Sequence, residues 1–467
     1  MESTQNALLT ETEAVHKTVM DSGAVTAEVF GTQTYIKQVL FSSGRIVDLS
    51  SLEEFGFGIR YQMNNRMIFQ AIDGFNEKLF KKKLNLSFGS PLQAFSSVPF
   101  DFASEIPAVS SAFSKQYDTR ITELSLCDLK EHAQSLRGLV QAHKAPMILD
   151  SGVIAIKTQN TSLINSNDLQ ISHSNSFILT QARLIAGIKN QIIFEKNYRK
   201  IHRNLDNGIL TEFDSELDES TNFTKPKRIR DNQILPIVFN SRAMCQIGDL
   251  ILRPLFSKFA NSSSPTTITQ ISPLIEIREE SNDPSRVGSH PFDHEGVQTK
   301  TLQLYREGKP TEWPRDLQGV GIHDQSPSGN TLRGIPNMME SPIHRNSPSK
   351  ILTNITIEAI KHPDDKLQES ITRGVQVSGI ASINFFDVVT GNFEIKTTEA
   401  FSLKNGERSQ AVGKITIFGN IYELFNAITG VGENIDLGYY SKIPSMRFEP
   451  IRILGKTKKV NIGKIVG

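Results

Sequence analysis

Pro291-Phe292-Asp293-His294-Glu295-Gly296-Val297 is followed in turn by Ser326-Pro327-Ser328-Gly329-Asn330, Gly374-Val375-Gln376-Val377-Ser378-Gly379 and Asp387-Val388-Val389-Thr390-Gly391-Asn392-Phe393. Each segment sets glycine beside polar residues at the edge of an apolar or alternating run. Glycine suits turn positions that need positive φ. Beyond Ile351 the alternation has strand period: residues 353–360, 375–386, 393–403 and 407–417 are expected strands, with Gly391 and Gly406 as hairpin turns. One helix, 420–427, precedes final strands around 446–454. The expectation is a β-rich C-terminal domain over 230–467.

Upstream the pattern changes to α+β. Residues 7–22 carry apolar positions at helical spacing (Leu8, Leu9, Val15, Val19), and a strand over 25–32 follows. Segments 34–43 and 44–49 read as a hairpin about Ser42-Ser43-Gly44, and 55–62 with 65–71 as another about Met63-Asn64-Asn65. An amphipathic helix is expected at 72–83, ending on Lys81-Lys82-Lys83, where cations favour the helix dipole. This first domain spans 1–86. Prolines at 91, 99 and 107 mark 87–119 as a linker or extended arm.

The central domain, 120–212, reads as a helix at 126–142 with strands at 147–158, 162–165 and 169–179, continued by 180–187. The polar stretch 213–229 is the expected boundary loop. Residues 234–239 form a buried strand and 241–260 a helix capped by Ser241. Segments 256–273 and 323–350 are rich in Ser, Pro and Asn and read as containing long mobile loops.

Bulk properties exclude several classes. The chain has 467 residues, enough for two or three domains, with 51 basic against 50 acidic side chains. That balance gives no reason to expect a nucleic-acid or membrane-surface partner. Hydrophobic content is 38%, without a membrane-length apolar run, and residues 1–12 are polar and acidic where a signal peptide would be basic and then apolar. A cytoplasmic protein is expected. Two cysteines, Cys127 and Cys245, rule out a disulfide framework; they read as buried thiols in helices, with a single Cys–Cys pair as the alternative.

In their order, the C-terminal segments resemble the TldD/PmbA (TldE) family of peptide-processing metalloproteases. Residues 292–297 are similar to the family's Phe-Asp-Asp-Glu-Gly-Val, with His294 in place of an acid, and Pro291-Phe292-Asp293 leans toward the PmbA/TldE branch. Gly23-Ala24, Ala27-Glu28-Val29, Gly44-Arg45-Ile46 and Gly56-Phe57-Gly58-Ile59-Arg60 fall in the order of the family's first domain. Ile164-Asn165-Ser166-Asn167-Asp168-Leu169 resembles its Asn-Ser-Gly element, with Asn167 for glycine.

The active branch of that family carries His-Glu-x-x-x-His on the helix after the first strand of the third domain, and a cysteine near the C-terminus. Such spacing puts both imidazoles on one helix face, where they share a zinc while the glutamate activates its water. The matching helix here, Ser241-Arg242-Ala243-Met244-Cys245-Gln246-Ile247-Gly248-Asp249-Leu250-Ile251-Leu252, has neither histidine nor glutamate. Leu437-Gly438-Tyr439-Tyr440-Ser441-Lys442 has no cysteine. The resemblance therefore implies a non-catalytic subunit, without catalytic or metal residues of its own. It would pair with a TldD-like zinc-bearing partner that processes or degrades unfolded or precursor peptides, including leader removal.

The expected peptide-channel residues are Asp293, Glu295, Gly296, Ser328, Gly329 and Asn330, and Trp313 is an expected interface anchor. His290, Asp293, His294 and Glu295 read as a loop turning at Gly296, with a local metal cluster as the alternative. Ser328 lacks the strand–elbow–helix setting of a nucleophilic serine. Lys225-Pro226-Lys227-Arg228-Ile229-Arg230 reads as a solvated loop. Two further functional readings stand beside the first: a stand-alone peptide-binding scaffold, and an active metallopeptidase with a relocated site at His290, His294 or His323.

Overall fold

The computed structural model describes residues 2–87, 94–96, 100–144, 146–188, 191–205, 208–220, 233–262, 270–319, 326–334, 342–360, 366–387, 389–412 and 415–454. The N-terminal sheet contains β1 (Thr26–Ser42), β2 (Arg45–Met63), β3 (Arg66–Asp73), β4 (Ala94–Ser96), β5 (Ile148–Asn165), β6 (Gln170–Ile188) and β7 (Gln191–His202). Their spatial order is β4-β3-β2-β1-β5-β6-β7. Antiparallel pairing of β1 with β5 joins strands from the expected first and central domains in one sheet. Tight turns join the long strands at Ser43-Gly44 (φ 49° and 66°) and Asn64-Asn65 (φ 51° and 59°). Left-handed backbone at both positions matches the strand twist.

Strand period sorts the two faces of this sheet. On one, Ala27, Val29, Phe57 and Ile59 pack against Leu8, Val15 and Val19 of α1 (Glu2–Asp21). Farther along the same face, Val39, Phe41 and Ile154 meet Leu129, Ala133, Leu136 and Val140 of α4 (Leu126–Ala142). Between these helices in the chain lie α2 (Glu77–Ser87) and α3 (Thr119–Glu123). The opposite face carries Glu28, Phe30, Lys157, Gln159 and Thr161. The C-terminal unit covers it, with Phe292 and Ile343 packed on Phe30, Leu163 and Ile171. Polar residues of an alternating strand here meet protein.

After α5 (Gly208–Ser220) the chain enters β8 (Gln233–Phe239), α6 (Ser241–Ile247) and α7 (Arg253–Ala260). Then come β9 (Ile275–Glu280), β10 (Thr301–Arg306), β11 (Lys309–Pro310), β12 (Thr331–Leu332), β13 (Ser349–Lys350), β14 (Ile355–Ala359), β15 (Arg373–Phe386), β16 (Asn392–Lys404), β17 (Glu407–Val412) and β18 (Thr416–Asn420). A short α8 (Ile421–Asn426) precedes β19 (Ile428–Leu437) and β20 (Ser441–Leu454). Strand β8 bonds to both β15 and β20, so the path β20-β18-β16-β15-β8 closes on itself. Closure removes the exposed edges of those strands. α6 lies against β15, β19 and β20.

Several expectations need correction. β3 runs on through Asp73, and the helix expected at 72–83 is α2, which starts after Asn76 accepts the Leu79 N–H (3.1 Å). Described residues from 100 to 119 are docked: Phe102 and Phe113 are buried, and the Asn165 and Asn167 amides donate to Ala103 O and Phe102 O. The start of the expected boundary loop is helical, because Ile209, Phe213 and Leu217 of α5 recur every four residues and bury. Asn240, not Ser241, caps α6. The expected single helix 241–260 widens into a π turn over Gly248–Leu252 ahead of Pro254, whose ring nitrogen cannot donate.

Residues 147–158 and 162–165 form one strand, β5, and β19 joins the expected final strands. Within the expected mobile loops, 256–260 belong to α7, and the described residues 326–334 and 342–350 are tied by the pairing of β12 with β13 and by the Ile351 N–H on Asn330 O. Neither cysteine forms a disulfide; Cys245 is buried, but Cys127 is exposed. The basic segment 225–230 and His323 lie outside the described residues. Among the described residues, no helix is long and apolar enough to cross a membrane.

Candidate functional site

The helix that follows the first strand of the C-terminal unit packs directly on the segment joining β19 to β20. Ser241 Oγ donates to Ile443 O (2.5 Å), and Cys245 Sγ lies 3.9 Å from the same carbonyl. Asp249 accepts the Tyr439 and Tyr440 N–H groups, each at 3.0 Å. Burial pushes the Asp249 carboxyl above its ordinary range, against hydrogen bonds from Ser441 and those backbone amides. A Cβ at Gly438 would stand 2.8 Å from Cys245 Cβ and 3.2 Å from Asp249 Oδ2. Glycine is required by that approach.

A catalytic zinc takes His, Cys or carboxylate donors at about 2.0–2.3 Å and keeps one position open. Here the helix offers one thiol and one carboxylate. The carboxylate is used as a clamp on backbone amides, and glycine contact closes the gap between the two segments. These residues do not fit zinc.

The loops singled out in the sequence also lie against the N-terminal sheet. Asp293 Oδ1 accepts the Glu295 and Val297 N–H groups (2.9 and 3.0 Å), and Oδ2 that of Thr331 (3.0 Å). His294 N donates back to Thr331 O, tying 291–297 to 326–334. Gly296 and Gly329 turn with φ +82° and +74°. Ser328 Oγ accepts the Arg315 N–H (2.9 Å), and the Asn330 amide donates to Ser281 Oγ (2.9 Å). All six residues expected at a peptide channel are buried. The structure brings them together as one buried, hydrogen-bonded unit.

What they position is a closed ionic cluster. Arg60 of β2 binds Glu28 of β1 through Nε (3.0 Å) and Nη2 (2.6 Å), and Glu295 through Nη1. Arg333 reaches Glu28 Oε1 at 3.1 Å. Phe100 and Phe102 lie 5.3 and 5.5 Å from the Arg60 guanidinium, while Phe30 and Phe69 flank Arg333. The charged side chains are at most 2% exposed. Burial raises the Glu295 carboxyl despite Arg60, and lowers Arg333 to about 10 despite Glu28. Burial and Glu295 together push Asp293 well up. This is a desolvated two-plus, two-minus junction between the units; losing one partner leaves a buried charge.

A second cluster joins the units beside α6. Arg242 binds Glu216 (2.6 Å), Glu219 (2.9 Å) and Glu399 (2.6 Å), and Lys196 binds Glu399 (3.0 Å) and Glu216. It ties β7 and α5 to α6 and β16. Sequence reading missed Arg242 and took Glu216 and Glu219 as loop acids. The available signal was the fourfold spacing of Ile209, Phe213 and Leu217 among the acids of that segment.

Trp313 is half-buried, with ring centroids of Phe256, Phe259 and Tyr305 about it at 6.0, 6.1 and 6.1 Å. It packs on the barrel core. The imidazoles proposed for a relocated metal site are separately engaged: His290 Nδ1 with Gly288 O (3.1 Å), His294 Nδ1 with the Arg333 N–H (2.8 Å). Among the described residues no three His, Cys, Asp or Glu side chains cluster as metal ligands would.

Residues 235–455 match the profile of the PmbA/TldA metallopeptidase C-terminal domain. A metalloprotease TldD homolog of Haemophilus influenzae is 27% identical over 169 residues, 36% of this chain and 33% of that protein. The chain spans about a third of the length of the first curated relatives it matches. A crystal structure of TldE from Thermococcus kodakarensis superimposes with TM-score 0.74 at 17% identity, covering 95% of this chain and 99% of that one. A Thermotoga maritima protein described as a candidate modulator of a DNA gyrase gives 0.79 at 15%, with the same coverage. At such identities the superpositions establish the fold.

Proposed function

The chain belongs to the TldD/PmbA family, and on that premise we propose that it is a non-catalytic, TldE-like subunit of a zinc metallopeptidase complex that processes or degrades unfolded or precursor peptides. The observation that carries this reading is the helix Ser241–Ile247 and its π turn. They hold neither histidine nor glutamate, and Asp249 and Gly438 close the space between helix and C-terminal segment. Zinc then belongs to a TldD-like partner. No catalytic step is assigned to this chain.

Its part is to shape the chamber and hold the peptide backbone. Strand β19 pairs with β20 alone among the described strands, so its second edge has no described strand partner. Addition of a peptide strand there would use backbone hydrogen bonds and tolerate many sequences. The buried junction of Asp293, Glu295, Ser328, Gly329 and Asn330 would keep this barrel fixed to the N-terminal sheet while the edge is loaded.

The test is cleavage of an unfolded peptide by the purified chain, by a TldD-like subunit carrying His-Glu-x-x-x-His, and by both together. The expected result is turnover by the pair, none by this chain alone, and zinc in proportion to the partner. Chelator-sensitive cleavage by the isolated chain would contradict the proposal.

A further inference from the structure

At the tip of the β1–β2 hairpin a surface pocket of ≈ 200 Å³ lies between the turn, α4 and the start of β5. Phe41, Ala133 and Leu149 line it as buried apolar residues, and Arg45, Gln134 and Arg137 as exposed ones. Its walls are fixed elements. The turn is held by left-handed backbone at Ser43 and Gly44, and α4 by the capping box of Ser125 and Asp128. Arg137 Nε lies 3.8 Å from where a Cβ on Gly44 would stand, so this side chain is laid against the hairpin turn.

The charges of this pocket are one-sided. No aspartate or glutamate lines it, and neither Arg45 nor Arg137 has an ion-pair or hydrogen-bond partner among the described residues. Other arginines that reach the surface hold carboxylates: Arg120 with Asp118, Arg183 with Asp150, Arg345 with Asp73. Two uncompensated cations beside one apolar hollow set up a positive potential that an acidic occupant relieves. The volume falls below the roughly 300–1,000 Å³ of small-molecule pockets, which favours an anchoring side chain over a cofactor. Membrane-binding basic clusters carry about four to eight cations, more than this pocket presents. An apolar anchor flanked by carboxylates on a peptide matches both the floor and the charge.

We propose that the pocket at the β1–β2 hairpin tip docks an acidic segment of another polypeptide. One apolar side chain of that segment enters between Phe41, Ala133 and Leu149, and its carboxylates pair with Arg45 and Arg137. All the lining residues come from the N-terminal unit. The docking site therefore stands apart from the helix and the β19 edge invoked above, and independently of the subunit role.

The experiment is fluorescence anisotropy of the full chain with three labelled peptides: leucine flanked by glutamates, serine flanked by glutamates, and leucine flanked by lysines. Saturable binding of the first is expected, weaker by about tenfold or more for either of the others. Arg45→Glu and Arg137→Glu should each weaken binding of the first peptide to a similar extent. Both positions are exposed, and circular dichroism confirms that the variants are folded. The exposed Lys81→Gln control should leave binding unchanged. Equal affinity for the acidic and basic leucine peptides would overturn the proposal, as would full affinity in both folded arginine variants. Two other occupants are distinguished when the acidic leucine peptide fails to bind. Sedimentation of the chain with phosphatidylserine vesicles, lost in Arg137→Glu, would assign the pocket to a membrane. A dimer in sedimentation velocity, lost in the same variant, would assign it to a second copy. Either result overturns the proposal.

Discussion

The two ionic clusters that join the N-terminal sheet to the C-terminal barrel are built on different terms. Around Arg60 the charges balance, two arginines against Glu28 and Glu295, and every member is at most 2% exposed. Around Arg242 three glutamates face two cations, and water reaches the rim: Glu219 is 58% exposed and Arg242 23%. A charge that cannot reach solvent has to be neutralised by a fixed neighbour, whereas a wet cluster tolerates an excess. Arg203 departs from both: it is partly buried, its Nε and Nη1 are shut off from solvent, and no aspartate or glutamate lines the ≈ 40 Å³ cavity between the units beside it.

The largest effect is expected from Arg60→Ala. It strands Glu28 and Glu295 together in the dry junction, and a loss of about 3–5 kcal/mol in urea unfolding is expected. If the change costs no more than a surface substitution, the junction is wet and the contrast fails. Next comes Arg242→Ala, for which a loss of about 2 kcal/mol is expected, since only Glu399 is left fully buried. Raising the salt concentration should shrink that difference while leaving the Arg60 effect nearly intact.

Acid should sharpen the picture through the cavity histidines. Burial, with smaller contributions from Arg203, holds His173 at about 3 and His290 at about 4. Both lie below the ordinary value of about 6.5. Between pH 6.5 and 4 the unfolded chain takes up protons that the folded chain refuses, so stability falls as pH drops. Each such group steepens the slope by up to about 1.4 kcal/mol per pH unit. His290→Gln should flatten the dependence in that window when unfolding is followed at pH 7, 6 and 5. The smallest effect belongs to the exposed pair Glu77–Lys81, where Lys81→Gln should leave the unfolding midpoint unchanged.

The legible parts of the fold were those with local signals. Ser43-Gly44 and Asn64-Asn65 marked their hairpins, and Leu129, Ala133, Leu136 and Val140 gave α4 its spacing. The missing histidines and glutamate of α6 were equally plain, because that chemistry lies on one helix. α5 was hidden by its acids, since Glu212, Asp214, Glu216, Asp218 and Glu219 outweigh three apolar positions in composition though not in geometry. The motif residues 293–297 and 328–330 were found, but not their burial against the N-terminal sheet. Buried carboxylates that clamp backbone amides look in sequence like any exposed acidic loop.

The cavity was illegible for a different reason. Lys157, His173, Arg203 and His290 come from four separate segments, and the β5 stripe reads as a solvent face until a second unit covers it. Only the register of β5 with β6 and the docking of the 289–294 loop bring them together.

The most direct test of the central claim is native mass spectrometry of the protein isolated from its own source, with zinc determined on the same sample. A complex with a second, TldD-like subunit and one zinc per pair is expected. A homo-oligomer of this chain holding stoichiometric zinc would contradict it.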